Sequence, residues 1–298
     1  MPDSAAKSPA LFIAAGHQGV RITSPDGKTW SPEQTGKEGE VYRAVAFGNG
    51  RYVAAGTFGG KNIFASSPDG KKWETSSKDG KYSMYVRGLG FAKDAFLAIG
   101  GDPGSVGGSA PFVLTTPDGV TWSDYVKISG KHILRRIAWG KDRFVGVGDR
   151  GRRSMSKDCL QWEDVAGTKA IDTLIDVTYG GAGEQGIFVG VGLHGLRMTS
   201  VDGVKWSERI PGEEGEHLNS IVWAENRFVA VGAGATYSSA DGVKWNREAN
   251  QEAPTAVTYG NGVFVGASWK GRLLRSADAI KWEQVYKGEF NFEAVAFG

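Results

Sequence analysis

Cysteine is almost absent. The 298 residues hold one, Cys159, so no internal disulfide can form and a disulfide scaffold is excluded. No apolar run approaches the ~18 residues of a membrane span, and the N-terminal MPDSAAKSPA lacks the apolar core of a signal peptide. A periplasmic or secreted location follows only if a signal peptide was removed; the compartment is otherwise open. Neither charge sign dominates: 35 Lys+Arg against 33 Asp+Glu leaves +2, which gives no footing for nucleic acid. The four histidines (His17, His132, His194, His217) have no ligand spacing, and no Gly-x-x-x-x-Gly-Lys phosphate loop occurs, so neither metal nor cofactor is expected. What the chain has in excess is glycine, 45 residues with no collagen period, and aromatics: 10 Trp, 9 Tyr and 14 Phe, far too many for a disordered chain.

Both excesses follow from one recurring phrase. An Asp stands four residues before a Trp at Asp26, Asp69, Asp118, Asp158, Asp202, Asp241 and Asp278, at steps of 43, 49, 40, 44, 39 and 37, and each Asp follows a Ser or Thr by two. Self-similarity at ~40–45 residues is the period of a four-stranded propeller blade. Each repeat also carries two strand patterns. One alternates with period two (Val45/Phe47, Leu89/Phe91, Ile137/Trp139, Val177/Tyr179, Ile221/Trp223, Val257/Tyr259, Val295/Phe297) and reads as a half-buried strand, A. The next, B, runs from an aromatic residue to Gly (Phe12–Gly16, Tyr52–Gly56, Phe96–Gly100, Phe144–Gly148, Phe188–Gly192, Phe228–Gly232), but from Phe264 it ends at Ser268. The middle of B is always Ala or Gly, room in which another blade's aromatic side chain can approach the backbone. Strand C ends at the Ser/Thr and strand D carries the Trp.

The expected fold is all-β: a seven-bladed β-propeller of four-stranded antiparallel blades over 11–298, behind a flexible tail at 1–10. The chain begins on a B strand and ends on an A strand, so pairing of the C-terminal strand with the N-terminal ones closes the ring and leaves no free sheet edge. The C–D turns suit a type I turn closed by a left-handed residue, its Asp accepting backbone N–H groups. Cys159 and Ala279 replace the Gly there and carry strain if they keep its geometry.

The Ser-x-Asp-Gly-x-x-Trp phrase resembles the Asp-box (BNR) repeat of sialidases, xyloglucanases, sortilin-type receptors and photosystem II stability/assembly factors. The likeness runs from Phe12 to Gly298. It departs in spacing, since the usual box has Asp five residues before its aromatic residue and Gly two after Asp; here these are four and one. Seven blades look most like the assembly-factor and receptor-like binding propellers, whereas sialidases have six. The resemblance implies that the boxes face away from the ligand, leaving the B–C and D–A connections as the binding side.

On that side the starts of the A strands ring the channel mouth. One position reads Arg43, Arg87, Arg135, Ile175, Asn219, Thr255 and Glu293, and the next includes Arg136 and Asp176. The B–C loops add His17, Arg150, Arg152, Arg153, His194, Arg197, Trp269, Lys270 and Arg272. Clustered guanidiniums suit a carboxylate, sulfate or phosphate through bidentate bonds. The plainer alternative pairs them with Asp176, Glu293 and loop acids such as Glu40 and Glu216. Trp269 could stack on a sugar or fill the blade-six core. The B–C loop Gly101–Pro111 is the longest and could be a lid or a Gly-rich insertion. The expected function is a non-catalytic binding or scaffold propeller, a monomer, taking a protein or an acidic glycan. The alternative is a carbohydrate-active enzyme, a glycoside hydrolase or lyase, with two acids within reach at the mouth.

Overall fold

The computed structural model describes residues 10–80, 85–102, 110–181 and 185–298. Residues 1–9 of the expected tail and most of the Gly101–Pro111 loop lie outside them. The described residues form seven antiparallel sheets. Blade 1 is Val41–Gly48, Arg51–Phe58, Lys61–Ser67 and Glu74–Asp79 in the places A to D. The A strands of blades 2 to 7 are Tyr85–Ala92, Leu134–Gly140, Leu174–Gly180, His217–Ala224, Ala256–Gly260 and Phe292–Phe297. Each touches the A strand of the next blade, the last returning to the first, so the A strands surround the axis and the ring is closed. Blade 7 is completed across the termini: Phe12–Gly16 pairs with Phe292–Phe297, the Phe12 and Phe297 rings lie 4.7 Å apart, and Leu11 N–H donates to Gly298 O at 2.9 Å. In blades 4 and 7 the D place is reduced to one bridge pair, Arg197 with Ile210 and Arg21 with Gln34.

Burial follows from this layering. The B strand Phe12–Gly16 is buried at every residue, while the outer D strand Glu74–Asp79 is largely exposed. The core therefore lies between blades. Trp122 of blade 2 stacks on Phe64 of blade 1 at 4.1 Å, and Trp162 of blade 3 packs on Leu97, Ile99 and Val113 of blade 2. These tryptophans stand in the turn just before strand D rather than within it.

The small residue in mid-B has a different cause from the one expected. A Cβ at Gly146 would lie 2.8 Å from Leu134 Cδ1 and 3.0 Å from the Trp162 ring, both in its own blade. The close approach between blades occurs instead at the end of strand A, where a Cβ on Gly180 would stand 2.2 Å from the Trp223 ring of the next blade.

The boxes are turn clamps. Asp26 Oδ1 accepts the N–H groups of Lys28 at 2.8 Å and Thr29 at 2.7 Å, and Ser24 Oγ donates to it at 3.0 Å. The N–H of Thr29, ahead of the other donors, holds the Asp26 carboxyl down to about 2. The other six box aspartates are lowered in the same way. Cys159 and Ala279 do keep the left-handed geometry, at φ 64° and 61°. The A–B turns bond to the box of the following blade: Arg143 donates to Asp202 O at 3.0 Å, Arg227 to Asp278 O at 3.2 Å and Asn261 to Pro25 O at 2.9 Å. The backbone on this face is thus engaged in joining blades.

Candidate site at the channel mouth

At the opposite end, one local irregularity aims the mouth residues. In six blades the A–B register slips by one residue at the start of strand A, between Tyr42 and Ala44, Val86 and Gly88, Leu134 and Arg136, Leu174 and Asp176, Leu218 and Ser220, and Phe292 and Ala294. The bulged residues are Arg43, Arg87, Arg135, Ile175, Asn219 and Glu293. A bulge leaves its extra residue outside the ladder and re-aims its side chain. It also explains the Gly that ends strand B, since a Cβ on Gly56 would lie 1.9 Å from Val41 O and one on Gly232 would lie 1.9 Å from His217 O. Blade 6 has no such bulge, and there strand B ends in Ser268.

Arg43, Arg87, Arg135, Arg136, Ile175 and Glu293 line a cavity of about 120 Å³. Burial, reinforced by the Arg43 and Arg135 charges, holds the Arg87 guanidinium below its ordinary value, and its buried Nε has no partner among the described residues. Among the described residues neither Arg43 nor Arg87 has a side-chain hydrogen bond or ion pair. Arg135 is different, because Asp149 binds its Nε. Arg136 donates to Arg135 O at 3.0 Å and to Arg87 O.

The acids near the mouth are engaged. Asp176 accepts the N–H of Val177 at 2.8 Å and, across to the next blade, that of Ile221 at 3.0 Å. Enclosure raises its carboxyl despite the Arg136 charge and these bonds. Glu293 Oε1 meets His17 Nε2 at 2.7 Å.

Three of the expected B–C arginines are engaged in packing. Arg152 is buried, with Asp164 at 2.9 Å; Arg153 lies 3.8 Å from Asp172 and stacks over Trp206 of the next blade. Buried Arg197 donates to Gly195 O and Pro211 O and stacks on Tyr237 at 4.0 Å. His194 is joined through its backbone N–H to His217 Nδ1 at 3.2 Å. Trp269 does not fill the blade-six core, since it is 60 % exposed in the turn after Val263–Ser268. Among the described residues no His/Cys/Asp/Glu group could hold a metal ion, and no helix is long and apolar enough to cross a membrane.

Two depressions missed by sequence reasoning lie in blade 1, the first of them adjoining the mouth. One, of about 310 Å³, includes Arg43, Arg87, Tyr85 and Phe58 in its walls. The second, of about 350 Å³, shares Phe58 and includes Glu40 and Tyr42.

No family model and no curated protein matches the chain. Solved structures do. YCF48 bound to D1 peptide is 16 % identical with a TM-score of 0.62, over 90 % of this chain and 85 % of that one. YCF48 from Cyanidioschyzon merolae is 15 % identical, TM-score 0.57, over 82 % and 84 %. The WD40 β-propeller domain of Doa1 is 11 % identical, TM-score 0.66, over 95 % and 89 %. What the chain shares with them is the fold, and it is a seven-bladed β-propeller.

Proposed function

We propose that this propeller is a non-catalytic binding protein that holds an acidic segment of a protein partner at its channel mouth, on the B–C/D–A side. The observation that carries the reading is the pair Arg43 and Arg87, two half-buried guanidiniums without an acceptor among the described residues. Leaving such groups unpaired is costly, and a carboxylate presented by a ligand would answer them through charge-assisted bonds. A peptide is favoured over an acidic glycan because one structural neighbour, YCF48, was solved with a bound peptide. The Asp-box likeness agrees with this choice of face, since box residues are engaged in turn and blade contacts at the other end. The carboxylates that a hydrolase would need have other tasks: Asp176 bridges backbone, Glu293 meets His17, and Asp149 holds Arg135.

The test is a peptide array of graded acidity run beside arrays of sulfated and uronic glycans, with hydrolysis assays on the same polysaccharides. Binding to acidic peptides without turnover, lost in Arg43→Ala and Arg87→Ala, is expected. Preferential glycan binding would overturn the choice of partner. Turnover abolished by a single carboxylate substitution would overturn the non-catalytic reading.

A further inference from the structure

Blades 1 and 5 are entered through the same connection, Gly36-Lys37-Glu38-Gly39-Glu40 and Gly212-Glu213-Glu214-Gly215-Glu216. The backbones match. Gly36 N–H donates to Gln18 O at 2.8 Å and Gly212 N–H to His194 O at 2.9 Å, while Gly39 and Gly215 sit at φ 86° and 81°. Both glutamates lie against glycine: a Cβ on Gly36 would be 1.9 Å from Glu40 Oε2, and one on Gly212 would be 2.6 Å from Glu216 Oε2.

In blade 5 the carboxylate is fully occupied from within. Glu216 Oε2 accepts the Tyr237 hydroxyl at 2.5 Å and the Glu213 N–H at 2.9 Å, while Oε1 accepts Arg247 Nε at 2.9 Å and Nη2 at 2.7 Å. Strand register identifies the matching residues of blade 1. Tyr237 stands opposite Ala230 and Arg247 opposite Tyr237; in blade 1, Ala65 stands opposite Ala54 and Thr75 opposite Ala65. Two large polar side chains are thus replaced by a methyl group and a threonine. Tyr42, at the place of Leu218, brings its own ring beside Arg21, whereas nothing replaces the Arg247 guanidinium, and next to Glu40 lies a cavity of about 350 Å³ lined by Glu40, Tyr42, Phe58, Ile63, Thr75 and Lys37. Within the described residues, neither the Glu40 carboxylate nor the Tyr42 hydroxyl has a hydrogen-bond partner. The nearby cations are otherwise disposed: Lys61 pairs with Asp79 at 2.9 Å, and Lys37 lies 5.9 Å from the Phe58 ring. Arg21, 5.3 Å from the Tyr42 ring, occupies the place that Arg197 occupies beside blade 5, so it is not the missing partner.

We propose that the Glu40 cavity binds the arginine side chain of a peptide ligand, its guanidinium meeting Glu40 as Arg247 meets Glu216 and its stem lying against Tyr42 and Phe58. An aromatic wall beside a carboxylate is the pairing that a planar cation prefers. Because Phe58 also borders the depression that holds Arg43 and Arg87, an arginine here and an acidic group at the mouth can belong to one extended segment.

The probe is N-acetyl-arginine methylamide, titrated into the full chain and followed by amide NMR, with the lysine and citrulline analogues as comparisons. It carries no acid, so its binding is read separately from that of an acidic ligand at the mouth. Saturable shifts at Tyr42, Phe58 and Thr75 are expected, with the neutral citrulline analogue and Glu40→Gln each weakening binding roughly ten-fold or more. The variant Thr75→Arg supplies a guanidinium from within, as Arg247 does in blade 5, and should abolish them. Equal binding of the citrulline analogue, undiminished binding in Glu40→Gln or Thr75→Arg, or no saturable shift would overturn the proposal.

Discussion

Gly56→Ala places a methyl group 1.9 Å from Val41 O, where an ordinary carbon–oxygen contact is about 3.3–3.6 Å. The deficit is about 1.4 Å, and the obstacle is a backbone carbonyl that cannot rotate out of the way as a side chain could. The bulge after Tyr42 has to open, with a cost at the upper end of overpacking, about 3 kcal/mol. In thermal unfolding followed by circular dichroism this corresponds to a fall of roughly 5 °C for a domain of this size. Arg43, the bulged residue, should be displaced with it, so ligand affinity falls in the fraction that remains folded. The control is Ser268→Gly at the matching place in blade 6, where there is no bulge, and it should cost about 1 kcal/mol or less. Equal losses in the two variants would refute the argument that the bulge excludes a side chain at the end of strand B.

Three further outcomes follow from the turns. The seven box aspartates have folded-state values below the unfolded one, so their stabilisation is complete above about pH 4 and is lost as pH falls toward about 2, the value of Asp26. Urea midpoints of the protein and of Asp26→Asn should therefore differ at neutral pH and converge in acid; a constant difference would contradict this. The A–B turn Lys141-Asp142 holds φ of 47° and 56° where blade 6 has Asn261-Gly262, so Asp142→Gly should stabilise by about 1 kcal/mol in urea melts. Burial, with Asp158 adjoining, pushes the Cys159 thiol up to about 11, so iodoacetamide at neutral pH should alkylate it far more slowly in the folded than in the unfolded protein.

Much of the architecture was legible because every blade repeats the same contacts: Asp with turn N–H groups, Trp against the preceding blade, and a Gly or Ala ending strand A where the next blade's A strand meets it. The Gly that ends strand B was visible as a pattern, but its cause was not, because a bulge is a property of two paired strands. The exception at Ser268 becomes meaningful only once blade 6 is seen to lack the bulge. The mouth residues stood out as polar variation in an otherwise uniform repeat. Their state depended on partners distant in sequence, such as Asp176 with Ile221 or Glu293 with His17. Arg152, Arg153 and Arg197 resembled their neighbours in sequence, yet they are buried among acids, carbonyls and rings. The Glu40 cavity is bordered by Thr75, an ordinary residue whose meaning appears only when the register sets it in the place of Arg247. The segment Arg209-Ile210-Pro211 serves as the reduced D strand of blade 4, with Ile210 bridging Arg197.

On the proposed reading, Arg43 and Arg87 hold an acidic partner at the channel mouth. Calorimetric titration of a Glu/Asp-rich peptide selected on the array, into the protein and into Arg43→Glu/Arg87→Glu at several salt concentrations, tests it directly. Binding should weaken steadily with salt and be lost in the reversed-charge variant while its melting temperature holds, since Arg135 and Arg136 in the same cavity offset the repulsion between the two new carboxylates. Binding of equal strength to the protein and the folded variant would contradict it.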